Sequence, residues 1–199
     1  MPIPFWLPLL LGFLTAVGPA STDMYLPAFP AIEASLHGPV GSAEYSLAAW
    51  FAGLAVGQIA PGTLADRFGR RRPLIGATAV YTLTCAACAL APNILFLSAF
   101  RFVSAIAASA GMVIPRAVVR DLADGHAAAV LMSRLMLVMG AAPILAPSIG
   151  GAVLAFATWR WIFWIMTAYG AASLALVSWR LPDTLPSERR TRLPVGEQF

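Results

Sequence analysis

Six long stretches almost free of charge, separated by short polar joints, set the pattern of the chain. Each approaches the roughly 20 residues that carry an α-helix across a bilayer. They predict spans over about 3–30, 45–65, 74–91, 94–118, 131–157 and 161–180. Backbone groups in hydrocarbon must be satisfied within their own segment, and none of the stretches alternates like a barrel strand, so helices are expected. The predicted fold is an all-α, polytopic membrane bundle over residues 1–180. After Trp179 the text becomes "RLPDTLPSERRTRLPVGEQF", proline-rich and charged without apolar period, so 181–199 read as the start of a linker. No basic residue precedes the first stretch and no soluble domain follows it, so it reads as a retained span rather than a cleaved signal.

Composition agrees with this pattern. Of the 199 residues 59% are hydrophobic and 11% charged, against about 45–50% and about 25% in soluble domains. The net charge of +4 would suggest nucleic acid only if position were ignored. All thirteen basic residues are arginine, and eleven of them gather at one set of joints: Arg67, Arg70, Arg71 and Arg72; Arg116, Arg120 and Arg134; Arg180, Arg189, Arg190 and Arg192. The opposite joints carry Asp23, Glu33, His37 and Glu44, with Arg160 as their one base. The positive-inside rule then puts both termini in the cytoplasm and removes nucleic acid as a partner.

Few residues invite covalent chemistry. Cys85 and Cys88 make a CxxC, but both lie within the third stretch with nothing near to lower a thiol pKa, and they read as small packing residues. His37 and His126 fall on opposite sides of the membrane, too far apart to share a metal and outside the spans where a membrane serine protease needs its histidine. No catalytic residue, metal or cofactor is expected, and the chain does not read as an enzyme. Small residues line several stretches: Gly53 and Gly57 in the second, "SAIAASAGM" (104–112) in the fourth and "GAAPILAPSIGG" (140–151) in the fifth. Lipid gives helices no hydrophobic push toward each other, so close approach through small residues is how they pack. Trp159, Trp161, Phe163 and Trp164 suit an aromatic belt at the outer interface.

Two ionisable residues are costly where they stand. Asp23 lies at the outer end of the first span and Arg101 a few residues into the fourth, flanked by Phe100 and Phe102. A charge inside a membrane segment is a functional hypothesis with a partner to be named. Span direction puts both in the outer half of the bilayer, where they are expected to face each other. The alternative is that Asp23 caps a helix end and Arg101 snorkels to headgroups. In the fifth span Pro143 and Pro147 each remove an intrahelical hydrogen bond and are expected to bend it, among Gly140, Gly150 and Gly151.

These features resemble the major facilitator superfamily, and within it the drug–proton antiporters of the Bcr/CflA type. "GTLADRFGRRRP" (62–73) is similar to the signature loop between spans two and three, and "STDMYLPAFPAI" (21–32) to the end of the first span in the drug-efflux branch. "RFVSAIAASAG" (101–111) is similar to the fourth-span motif, with Ser104 and Ala105 where that motif favours Gln and Gly, so only Arg101 carries over. "LAPSIGG" (145–151) resembles the antiporter motif, with Ala146 at a position often glycine. The resemblance implies proton-coupled efflux of amphipathic, drug-like molecules from the cytoplasm, driven by the proton gradient across a bacterial inner membrane. Asp23 and Arg101 would couple the proton. Tyr25, Met112 and Met136 are candidate lining residues, with core packing as the alternative for each. Gly62, Asp66, Arg67, Gly69, Arg70 and Arg71 would form a conformational latch, with Asp66 pairing to an arginine such as Arg116. Pro143, Pro147, Gly150 and Gly151 would form the antiporter helix. Family members have two six-span halves, so this chain reads as the N-terminal half. Its expected partners are protons, substrate, lipid and a second half. An inactive truncated product and a self-associating half-transporter remain alternatives.

Overall fold

The computed structural model describes residues 4–185. The start of the first predicted span at residue 3, and the linker from 186 onward with Arg189, Arg190 and Arg192, lie outside the described residues. Within them run α1 (Trp6–Thr15), α2 (Val17–Asp23), a 3-10 turn (Leu26–Ala28), α3 (Phe29–Ser35), α4 (Ser42–Gly57), α5 (Ala60–Phe68), α6 (Arg71–Ala89), α7 (Ile94–Leu122), α8 (Gly125–Phe156) and α9 (Arg160–Arg180).

Proline breaks two of the expected spans. The first is cut into α1, α2 and α3 and runs on to Ser35. Pro19 has no N–H to return to Thr15, and Pro27 and Pro30 each open a new short helix. In the second, α4 and α5 meet at 42°. Pro61 cannot donate to the Gly57 carbonyl four residues back; instead the Ser109 hydroxyl of α7 donates to that oxygen at 2.8 Å. A neighbouring side chain thus satisfies the acceptor that proline frees. Pro143 and Pro147, by contrast, lie inside α8, which continues through both as one 32-residue helix.

Among the described residues, four helical stretches are long and apolar enough to cross a bilayer: Trp6–Ser35 taken whole, α7, α8 and α9. The bent pair α4–α5 makes a fifth if it is one span. The 19-residue α6, the expected third span, is not among them; it opens on Arg71 and Arg72 and carries polar Thr78, Tyr81, Thr82 and Thr84.

The bundle is held most closely by α4 on α7 and by α6 against α7 and α9. Glycine sets the first contact. A Cβ on Gly53 would lie 2.3 Å from the Phe102 carbonyl oxygen, and one on Gly57 2.7 Å from the Ile106 Cα. Two apolar clusters result. One gathers Tyr25, Trp50, Tyr81, Leu97 and Phe163 around the helix ends away from the arginine-rich joints. The other gathers Leu11, Leu74, Ile114, Val118 and Leu135 toward the arginine-rich end. Cys85 and Cys88 are buried and free in the first cluster. The most apolar window of α8 is only 11% buried, against 67% for α7, so the most hydrophobic of these four stretches is also the least covered.

Candidate functional site

The Asn93 side chain caps α7 by accepting from the Phe96 amide at 2.8 Å, which starts the helix where Arg101 falls two turns in. Arg101 is 1% exposed. Its guanidinium lies 4.2 Å from the Trp50 ring, 4.7 Å from Tyr25 and 5.9 Å from Phe163. The quadrupoles of these rings attract the cation where water cannot. Nη1 donates to the Ser21 carbonyl oxygen at 2.9 Å, while Nε and Nη2 find no hydrogen-bond partner. Serine–tyrosine pairs frame the cage: Ser21 Oγ and the Tyr81 hydroxyl are 2.6 Å apart, and the Tyr25 hydroxyl bonds Ser46. Snorkelling to headgroups is therefore not what Arg101 does.

Asp23 stands two residues beyond Ser21, at the end of α2, half-buried and with no hydrogen bond or ion pair among the described residues. The direct Asp23–Arg101 pair expected from span direction is not made. The Ser21 side chain turns to Tyr81, and residues two apart differ by about 200° around a helix, so the Asp23 side chain leaves that core on another face. The two charges nonetheless share one short segment, since the arginine holds the carbonyl of the turn that carries the acid. Helix α8 reaches the same segment: a Cβ on Gly150 would lie 2.1 Å from the Met24 carbonyl oxygen. Gly151 has nothing within 4 Å of such a position, Pro143 is exposed and Pro147 is half-buried. Tyr25 is fully buried and belongs to the core. Met112 is half-buried against that core and Met136 is exposed on α8, so the three candidate lining residues do not share one wall.

The signature loop forms a second constellation at the other end. Gly69 has φ 86°, a left-handed conformation that glycine tolerates, and an added Cβ would lie 2.0 Å from the Asp183 carboxylate. Arg70 is 5% exposed. It donates to Asp66 at 2.5 Å and to Asp121 through Nε at 2.8 Å and Nη2 at 3.3 Å, and its amide donates to Asp183 at 2.9 Å. Burial alone disfavours the Arg70 cation, but the carboxylates of Asp121 and Asp66 outweigh it and its pKa is raised. Thr184 adds a hydrogen bond to Asp121 at 3.1 Å. The partner of Asp66 is thus Arg70 and not Arg116, whose Nη2 instead meets the Met139 sulfur at 3.4 Å. Arg71 donates to the Ser178 carbonyl of α9, Arg67 lies over the Phe68 ring, and Gly62 has open space around it. Asp121 and Asp183 escaped the sequence reading. For Asp121 a signal was present: a carboxylate in the last turn of a helix opposes the macrodipole and calls for a cation.

The Major Facilitator Superfamily pattern matches residues 11–196. The chain belongs to this superfamily of transporters. It is 41% identical over 189 residues to an uncharacterized MFS-type transporter, YdgK, of Bacillus subtilis, covering 94% of this chain and 47% of that protein. A bicyclomycin resistance protein homolog of Haemophilus influenzae is 32% identical, over 93% of this chain and 46% of the relative. The multidrug resistance protein MdtL of Escherichia coli O157:H7 is 31% identical, over 87% and 44%. The chain therefore spans just under half the length of the curated relatives it matches. The solved proton:xylose symporter XylE superimposes with a TM-score of 0.78 at 15% identity, covering 90% of this chain and 45% of the symporter. That likeness supports the fold alone. A superfamily member with helices this apolar is an integral membrane protein.

Proposed function

We propose that this bundle is the N-terminal six-span half of a proton-coupled exporter of amphipathic, drug-like molecules in a bacterial cytoplasmic membrane, with its arginine-rich ends facing the cytoplasm. The observation that carries the coupling is the sealed Arg101 cation, tied to the segment that bears Asp23. An unpaired charge in the membrane interior is retained only for use. Protonation of Asp23 would shift how strongly Arg101 holds the Ser21 turn, and through Gly150 that turn bears on α8. The choice of drugs as cargo is supported by the resistance-protein relatives. A second bundle facing α8 would complete the substrate cavity, since α8 is apolar and little covered.

The Asp66–Arg70–Asp121 cluster serves as the latch in this reading. Charge pairs made in one state and broken in the other bias a two-state equilibrium by the difference in their strength. The test is drug accumulation in cells expressing the protein from its own gene, with and without a proton uncoupler. Lower accumulation that the uncoupler restores is expected. A difference that survives the uncoupler, or no difference at all, would remove proton-coupled export.

A further inference from the structure

Two hollows meet on one flank of the bundle. The larger, about 340 Å³, opens where α4 breaks into α5 and is walled by Gly57, Pro61, Gly76, Val80, Ile106 and Ala110, among other small or apolar residues. The second, about 260 Å³, lies between Leu64, Phe68, Arg72 and Pro73. Leu64 and Pro73 line both, so the two make one slot. Small residues in a membrane bundle ordinarily mark close packing. Here they mark a gap, since a Cβ on Gly76 would meet nothing within 4 Å.

The slot has the depth and the charge of a lipid seat. From Arg72 to Val80 it follows α6 for eight residues, about 12 Å of helix. That is close to one leaflet, half of the roughly 30 Å hydrocarbon thickness. Arg72 lines its mouth, and the Arg67 guanidinium lies over the ring of Phe68, which lines it too. Of the four arginines in the signature loop, Arg70 and Arg71 turn inward to Asp66, Asp121 and the Ser178 carbonyl. Arg67 and Arg72 are exposed, and neither makes a hydrogen bond or ion pair among the described residues. The carboxylate nearest in sequence, Asp66, is already held by Arg70.

We propose that the slot seats one acyl chain of an anionic phospholipid from the leaflet at the arginine-rich end, with the lipid phosphate between Arg67 and Arg72. The inference rests on membrane insertion with that end facing the anionic leaflet and not on drug export, so the two readings fail separately. The test is native mass spectrometry of the purified protein with phosphatidylglycerol and phosphatidylcholine of identical chains. Preferential retention of one phosphatidylglycerol is expected. Arg67→Gln and Arg72→Gln should each weaken it about fivefold, and Gly76→Leu, which fills the slot without touching charge, should displace it. The arginine variants alter exposed side chains only and keep the test decisive even where Gly76→Leu assembles poorly. Equal retention of both lipids, or a phosphatidylglycerol preference that survives all three variants, overturns the proposal. Retention of neither lipid by the wild type, as when a second bundle fills the slot, also overturns it.

Discussion

Replacing Arg101 with methionine should leave the bundle folded and abolish uncoupler-sensitive drug export. The cation gains from three aromatic faces, each worth up to about 2 kcal/mol when desolvated, and from its bond to the Ser21 carbonyl. Against this stand the burial of a charge and two N–H directions without partners, costing about 1–3 kcal/mol for each unsatisfied group. Methionine fills a similar length, makes sulfur–aromatic contacts and asks for no partner. The opposing contributions are of similar size, so thermal stability in detergent should change by no more than about 1 kcal/mol, in line with buried charges replaced by apolar residues. Arg101→Lys should fall between the two, since it keeps the charge and loses the planar stack. Normal export by Arg101→Met would end the proposed role. A variant that unfolds would recast Arg101 as a structural residue.

The second large effect is expected at Gly53. A leucine there puts Cβ 2.3 Å from a backbone oxygen and 2.8 Å from the Ala105 Cβ, so α4 and α7 must move apart along the most intimate contact in the bundle. Backbone cannot yield as a side chain does, and the loss should be about 3 kcal/mol or more, at the upper end of overpacking. Gly76→Leu is the internal control. It projects into open space, and leucine is a better helix former than glycine by about 0.8 kcal/mol, so its thermal midpoint should match or slightly exceed the wild type. Equal destabilisation by both would show that α4 and α7 do not approach as described.

Much of this architecture was legible in the residues, and where legibility stopped the cause is physical. Charge-free length told where helices run, because a bilayer tolerates little else. It did not tell where they break. Pro19 and Pro61 interrupt their spans while Pro143 and Pro147 do not, and the difference depends on neighbours such as Ser109 that chain order does not reveal. Span direction correctly put Asp23 and Arg101 on the same side of the bundle. Rotation about the helix axis decides whether their side chains touch, and Arg101 meets the Ser21 backbone carbonyl in place of the Asp23 carboxylate. The signature loop announced its glycine, its arginines and Asp66, but two further carboxylate partners sit at 121 and 183, far off in sequence. Only the misplaced acid at the end of α7 pointed that way.

Proton counting on the purified protein tests the central claim most directly. A compound that shows uncoupler-sensitive export in cells is added to the protein in weakly buffered solution, and proton release is followed with a pH-sensitive dye. Exchange of drug for proton at the Asp23 segment predicts release on drug binding by the wild type and none by Asp23→Asn, with binding of the compound retained. Equal release from both proteins, or drug binding by the wild type without release, contradicts the account.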